Sequence, residues 1–422
     1  MAKSFPRIFA KPLAVAVLLC AMVGSVAVTC AQNRKNSPQP YASIATNGVS
    51  YAGPGREAAY DLSGPVIHIG LLAPLHGPQK AEGEAMVAAA QMALHDMAPK
   101  TLPGGRRVAL VVGDESGPSW GHISDVLLHL VFVEQSVAVV TSTSGDAAHI
   151  SEQVGNRIGV PILTLSSDAT TTQVDVPWIF RMGPSDALAA QTIAQEMYRN
   201  RGFKQVLLIT ERDHDGRVGG AALQQAARGL GAPAPDALVL DSLQPDFGPL
   251  LARMQAQSPQ AIVLWTQPET AGRLMQAIWK TEVRAPIYLS PKAAQAGSGL
   301  DFPAPDALGK KGSGSAGVWT VVSGEKIAGV QNGFARRYRQ ATGTSPSPAA
   351  AETYDAMCLI VRALRTTGAN RARVRDQIAR VKDFPGDSGT ISFDDEGNNP
   401  TSIHLVRLER RTSPVAIFEA VK

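Results

Sequence analysis

Three cysteines in 422 residues are too few to staple a fold. Cys20 lies inside an N-terminal apolar run, Cys30 lies at its end and Cys358 sits in a separate run, "AMCLIVRAL", so no disulfide framework is indicated. Past that first run no second span of comparable apolarity occurs, which argues against a chain threaded repeatedly through a membrane. Eight histidines are present without an H-E-x-x-H or H-x-H pair, so no local metal motif exists, and a metal site could arise only by distant convergence. There is no G-x-x-x-x-G-K-[ST], and Lys80 in the first glycine-containing loop does not supply one. Charge of one sign is also scarce. The formal charge is +4, and without Lys3, Arg7 and Lys11 it falls to +1 (4 − 3), which gives no electrostatic case for nucleic acid.

Those three basic residues open the chain. The run "PLAVAVLLCAMVGSVAVT" (Pro12–Thr29) follows, then small residues at Ser25, Ala27 and Ala31. The order basic, apolar, small is that of a secretory signal, expected over 1–31, although run length alone does not separate it from an anchor helix. Cys30 is a candidate for lipidation after cleavage, with Thr29 departing from the usual small residue before it. Residues 32–65, rich in Asn, Ser, Pro, Gly and Ala, read as a flexible spacer.

From Val66 short β-like runs alternate with helical patterns. Strands are expected at Val66–Leu72, Val108–Val112, Val137–Thr141, Pro161–Leu165, Val206–Thr210, Ala237–Leu240, Ala261–Thr266 and Pro286–Ser290, with a return strand at Val318–Val322. Near-continuous Val, Ile and Leu suit strands covered on both faces. Met86, Ala90, Leu94 and Met97 share one helical stripe; Ile123, Val126, Leu127 and Leu130 share another. Further helices are expected over Ala328–Ala341 and Ala350–Thr366, and "GTISFDDEGNNPTSIHLVRLE" reads as two strands around a polar turn. The signals fall into two sets, so the expected fold class is α/β, with two lobes built on parallel sheets and chain crossings between them.

Two motifs fail on context. "GPSWG" (Gly117–Gly121) matches a nucleophile elbow, but Asp114, Glu115 and Ser116 separate it from the preceding strand. "GSGSAG" (Gly312–Gly317) precedes a strand where a dinucleotide fingerprint would follow one. The adjacent Asp394 and Asp395 fall in a turn, where solvation is the ordinary explanation. More coherent are polar turns after four strands: "APLHGP", "SGDAAH", "SSDATTTQ" and "ERDHDGR". Any one of their serines is most simply a helix cap. Four such turns arriving at one cleft would instead make a ligand site outside the carboxyl ends of the strands.

The ordered series "IHIGLLAPLHGP…EGEAMVAAAQMAL", "VALVVGDESGPS", "VAVVTSTSGDAAHI", "GVPILTLSSDATTTQ", "IFRMGPSDALAAQTIA", "QVLLITERDHDGRVGG", "DFGPLLARMQAQSPQAIVLW", "AETYDAMCLIVRAL" and "GTISFDDEGNN" resembles the extracellular solute-binding receptors of ABC transporters in the branched-chain amino-acid (Leu/Ile/Val) binding family. The resemblance implies a type I periplasmic-binding fold, two Rossmann-like lobes joined by three hinge crossings, and closure on a trapped ligand. On it, lobe one takes 66–184 and 318–386, lobe two takes 185–317 and 387–422, and the Gly-Pro loop at 73–78 is a cleft lip and not a phosphate loop.

By the same resemblance Ser142 holds a ligand carboxylate, and Ser166, Ser167 and Asp168 contact its polar groups. Glu82 and Asp215 stand where cleft aromatics are common. Lys292 stands where an acidic residue usually meets the ligand ammonium. A lysine there favours an anion, so a polar, anionic ligand is one expectation. In a second, Asp168 supplies the ammonium contact and an amino acid is bound; in a third, Lys292 faces solvent. The expected role is a non-enzymatic, monomeric binding protein of the periplasm, soluble or tethered through Cys30. It would deliver a small molecule to an ABC permease, with no cofactor and no metal. The rival is a ligand-sensing or envelope-enzyme-regulating protein on the same fold.

Overall fold

The computed structural model describes residues 54–97, 102–117, 119–172, 178–241, 246–295, 317–323, 333–400, 403–409 and 417–420. The expected signal, Cys30 and most of "GSGSAG" lie outside them. Among the described residues no helix is long and apolar enough to cross a membrane.

The chain opens with β1 (Val66–Ala73), α1 (Lys80–Met97), β2 (Arg107–Asp114), α2 (Ser119–Leu128), β3 (Val139–Thr141), α3 (Gly145–Ile158), β4 (Ile162–Thr164) and β5 (Ile179–Arg181). It continues through α4 (Asp186–Ala194), β6 (Val206–Glu211), α5 (His214–Gly229), β7 (Asp236–Leu240), α6 (Gly248–Gln257), β8 (Ala261–Trp265), α7 (Pro268–Ile278), β9 (Ile287–Leu289) and β10 (Val318–Ser323). The last part holds α8 (Gly333–Thr342), α9 (Pro348–Thr367), α10 (Arg371–Ala379), β11 (Phe384–Pro385), β12 (Thr390–Ile391), β13 (Ile403–Glu409) and β14 (Ile417–Ala420). All nine strands expected from the apolar runs form, with ends moved by one or two residues.

Two sheets result. One is five-stranded in the order β2-β1-β3-β4-β5, and the other seven-stranded in the order β14-β13-β10-β9-β8-β6-β7. Every pairing in the first is parallel. The second is parallel from β7 to β10 and antiparallel where β13 and β14 join. Helices cover both faces of each sheet. Met86, Ala90 and Ala93 of α1 share a core with α9, while Ile123, Leu127 and Ile150 of α2 and α3 fill the opposite face. In the second lobe, α4 and α5 take one face and α6 and α7 the other. Cover on both faces is why the strand sequences are continuously apolar. Cys358 is buried within α9, and desolvation pushes its thiol up to about 12.

Three boundaries differ from expectation. Val318–Ser323 was expected in lobe one, but as β10 it pairs with β9 and β13 of the second sheet. Residues 387–399 were expected in lobe two, yet Ile391 and Phe393 belong to the first core. Burying such side chains is worth roughly 1.5–3 kcal/mol each, and buried Asp355 of α9 accepts from Asp387 N (2.8 Å), Ser388 N (2.7 Å) and Ser388 Oγ (2.6 Å). The two strands read around the Asp394–Pro400 turn therefore lie in different lobes. Finally, the spacer does not run to Pro65. Arg56 pairs with Asp376 (2.8 Å), Asn370 Nδ2 donates to Asp61 Oδ1 (2.9 Å), and Leu62 packs on the first core.

The chain crosses between lobes after β5, between β10 and α8, and before β13. The first and third crossings run side by side: Arg181 N donates to Gly397 O (2.8 Å), and Asn399 Nδ2 to Met182 O (2.6 Å).

Packing of α5 on β8 depends on Gly219, where a Cβ would stand 1.7 Å from Trp265 Nε1. Gly219→Ala is expected to cost about 1–3 kcal/mol through overpacking, even though alanine is the better helix former. Urea unfolding checks this; a neutral or stabilised variant would mean that the indole moves freely.

Candidate functional site

The first lip is held by Asp114, at the end of β2. Its Oδ1 accepts from Leu75 N (2.9 Å) and Ser116 N (3.0 Å), and its Oδ2 lies 2.6 Å from His76 Nδ1. Burial opposes ionisation, but these bonds prevail and hold Asp114 well below the usual carboxylate range. Because Leu75 N serves Asp114 and His76 N donates to Ser116 Oγ, the loop's amides are not gathered around a phosphate.

Four residues of the first lobe then form a connected group. Ser142, in the turn after β3, donates to Glu115 Oε1 (2.5 Å) and accepts from Ser144 N (3.1 Å). Thr143 Oγ1 donates to Glu82 Oε1 (2.7 Å) in the first turn of α1. Glu115 is only 6% exposed, and its Oε2 has no hydrogen-bond partner among the described residues. Burial pushes its carboxyl up to about 8, with nearby Glu82 adding to the rise against the Ser142 bond. Burial likewise raises Glu82, against the charge of Lys292 and the Thr143 bond.

The second lobe brings Asp215, second residue of α5, and Lys292, in the turn after β9. Lys292 Nζ pairs with Asp215 Oδ2 and donates to Thr143 O (3.4 Å), while Asp215 Oδ1 accepts from Gly145 N (3.0 Å). Lys292 is 7% exposed, so the solvent-facing alternative does not hold. Burial works against its charge, but Asp215 and Glu82 outweigh that and raise its pKa. The anion argument loses its free cation, because Lys292 is already neutralised inside the chain.

A second group sits beside the first. Buried Asp168, in the turn after β4, accepts through Oδ1 from Thr170 N (2.8 Å) and Thr170 Oγ1 (2.7 Å). Its Oδ2 lies 2.6 Å from Nε2 of His214, the first residue of α5, and 3.5 Å from His149 Nε2. Ser166 Oγ accepts from Asp168 N (3.2 Å) and shapes the turn. Ser167 Oγ donates to Asp186 Oδ1 (2.9 Å) at the start of α4, and burial pushes Asp186 up to about 7. The two groups meet at Gly145, where a Cβ would lie 2.2 Å from Asp215 Oδ1 and 2.7 Å from His214 Cδ2. Only a glycine lets the start of α3 approach α5 so closely.

Ser142, Glu82, Asp215 and Lys292 are thus brought together, Asp168 lies in the neighbouring group, and Ser166 and Ser167 serve its turn and its link to α4. Sequence reasoning missed Glu115, His149, His214 and Asp186; for Glu115, its place directly after a strand, in a turn, was the available signal. Gln79 Nε2 also donates across the lobes to Gln267 Oε1 (2.9 Å). Ser119 opens α2 with residues 115–118 between it and β2, which is not the geometry of an elbow.

Two doubly wound lobes, crossed three times by the chain and meeting at the carboxyl ends of their strands, define a two-lobed binding protein. Residues 66–412 match the family model described as "Periplasmic binding protein", and the chain belongs to that family. Solved structures share the fold. The leucine-binding protein LivK of Thermotoga maritima is 20% identical (TM-score 0.71), covering 84% of this chain and 98% of that one. LivJ of Streptococcus pneumoniae, in complex with isoleucine, is 19% identical (TM-score 0.70; 84% and 100%). A Rhodopseudomonas palustris ABC-transporter solute-binding protein in complex with benzoate is 15% identical (TM-score 0.72; 84% and 96%). No curated protein matches the sequence.

Proposed function

We propose that the protein captures a small polar solute of the amino-acid class between its lobes, closes on it by bending at the crossings, and delivers it to an ABC permease. The observation that carries this reading is the oxygen of buried Glu115 that has no partner among the described residues, in a group that draws on both lobes. That group holds three carboxyls, Glu82, Glu115 and Asp215, against one ammonium, Lys292, which Asp215 already takes. Burial raises Glu115 to about 8, so near neutral pH it keeps a proton, and a solute ammonium would take that proton's place as donor and supply the charge that lets the carboxyl ionise. The hydroxyls of Ser142 and Thr143, released from Glu115 and Glu82, are then free for the solute's carboxylate. Among the relatives LivJ holds isoleucine, which fits the class, while the Rhodopseudomonas palustris protein holds benzoate, which carries no ammonium.

A thermal-shift screen against amino acids, dicarboxylates, aromatic acids, amides and small peptides tests this. A ligand at a thousandfold excess over Kd adds about 4 kcal/mol, a shift of several degrees. Ammonium-bearing solutes are expected to give it, and Ser142→Ala and Glu115→Gln to reduce it. A response confined to dicarboxylates or aromatic acids would refute the charge argument.

One observation favours the rival regulatory reading. The chain's own groups bridge the lobes directly, through Asp215 to Gly145, Lys292 to Thr143 and His214 to Asp168. A protein that no solute in the panel stabilises would sense or dock through this closed form instead.

A further inference from the structure

We infer that His149, Asp168 and His214 form a binding site for a divalent transition metal that joins the two lobes. Each offers one ligand atom, and the three atoms lie within 4.8 Å of one another. His214 Nε2 and His149 Nε2 stand 2.6 and 3.5 Å from the same oxygen, Asp168 Oδ2. In a tetrahedral zinc site with bonds of 2.0–2.2 Å, donor atoms are about 3.3 Å apart. The two observed distances bracket that value, so modest side-chain rotation brings the donors around an ion. The imidazole rings stand nearly perpendicular, 89° between planes with centroids 5.0 Å apart.

The support around the donors fits the role. Asp168 Oδ1 is occupied by two bonds from Thr170, which orients the carboxylate and leaves Oδ2 for the histidines. His149 Nε2 also lies 2.9 Å from Thr170 Oγ1, a contact the ion would replace. Two imidazoles and one carboxylate select Zn2+, Ni2+, Co2+ or Cu2+ over Ca2+ and Mg2+, which prefer all-oxygen shells. Three protein donors leave a fourth position for water or for a donor atom of a solute.

His149 and Asp168 belong to the first lobe and His214 to the second. The full donor set exists only when the lobes are together, so metal affinity and closure are linked, each favouring the other. The inference stands apart from the proposed solute, since none of the three residues belongs to the Glu115 group.

The same residues could form only a His214–Asp168 ion pair, and His149 separates the two cases. The pair needs no His149; a metal site loses affinity when either histidine is replaced. The full chain, dialysed against chelator and then freed of it, is titrated with Zn2+ by calorimetry and with Co2+ followed by its visible absorption. Wild type is expected to bind one more Zn2+ per chain than the His149→Gln/His214→Gln double variant. Each single variant should bind that ion at least tenfold more weakly, and Mg2+ and Ca2+ should not compete. Zn2+ should raise the melting temperature of wild type and leave that of the double variant unchanged. Equal stoichiometry and affinity in wild type and double variant, or no binding in wild type, overturns the site. If His214→Gln fails to fold, His149→Gln, which keeps the His214–Asp168 bond, decides alone: unchanged Zn2+ affinity there refutes the proposal.

Discussion

Lys292→Met is expected to cost about 3–5 kcal/mol of unfolding free energy, the range for removing one partner of a buried ion pair. The methionine fills similar volume but leaves Asp215, Glu82 and Glu115 desolvated without a cation. Asp215 cannot turn to solvent without releasing Gly145 N, so the first response is separation of the lobes, and only then loss of the second lobe. Small-angle scattering should record a larger radius of gyration, and urea unfolding a lower midpoint. The double variant Lys292→Met/Asp215→Asn removes both charges and is expected to regain most of the loss, giving a coupling energy well above the 0.5 kcal/mol scatter of independent sites. A single variant within about 0.5 kcal/mol of wild type would show that the pair is effectively solvated and that the lobes do not depend on it.

The strands were legible because a covered parallel strand writes its burial as an apolar run, and Leu71, Val140, Leu163, Val263 and Leu289 are all fully buried. Which lobe a strand joins was less legible. Val318–Ser323 follows a Gly/Ser-rich stretch that looks like a crossing, but its membership is decided by Val318 opposite Ile287 and Val321 opposite Leu405, partners that periodicity does not record. The site shows the same limit. The family resemblance pointed to Ser142, Asp168, Asp215 and Lys292. Yet Lys292 looked like a free cation because the Asp215 that neutralises it lies 77 positions away, and Glu115 acquires its character from burial that only the folded chain creates, beside Ser142 27 positions on. The three metal donors are likewise gathered by folding alone, His149 and His214 lying on different lobes. Eight histidines without a local motif suggested no metal, and that inference concerned only metals bound by neighbours in sequence.

Glu115 should make both stability and solute binding depend on pH. Its ordinary value is 4.5 and burial in the folded protein pushes it up to about 8. Below about pH 4.5 folded and unfolded chains both hold the proton, so its favourable contribution is complete. Between there and about 8 only the folded chain holds it, and stability falls as pH rises; beyond 8 the loss is finished. The upper bound on that loss is about 5 kcal/mol, at about 1.4 kcal/mol for each tenfold change. Glu352, also raised to about 8 by burial, adds a slope of the same sign, so Glu115→Gln is expected to flatten the fall in melting temperature between pH 5 and 8 without abolishing it. Glutamine retains an oxygen for the Ser142 hydroxyl, which separates loss of the titration from loss of the bond. Binding of an ammonium solute beside Glu115 favours its ionised form. At pH 7 the protein should therefore release a proton on binding, seen by calorimetry in buffers of different ionisation enthalpy, and Glu115→Gln should release less, with Glu82 as the remaining source. Proton uptake by wild type would instead mark an anionic solute and reverse the charge assignment of the cleft, since an anion stabilises the protonated carboxyl for the same electrostatic reason that an ammonium removes its proton.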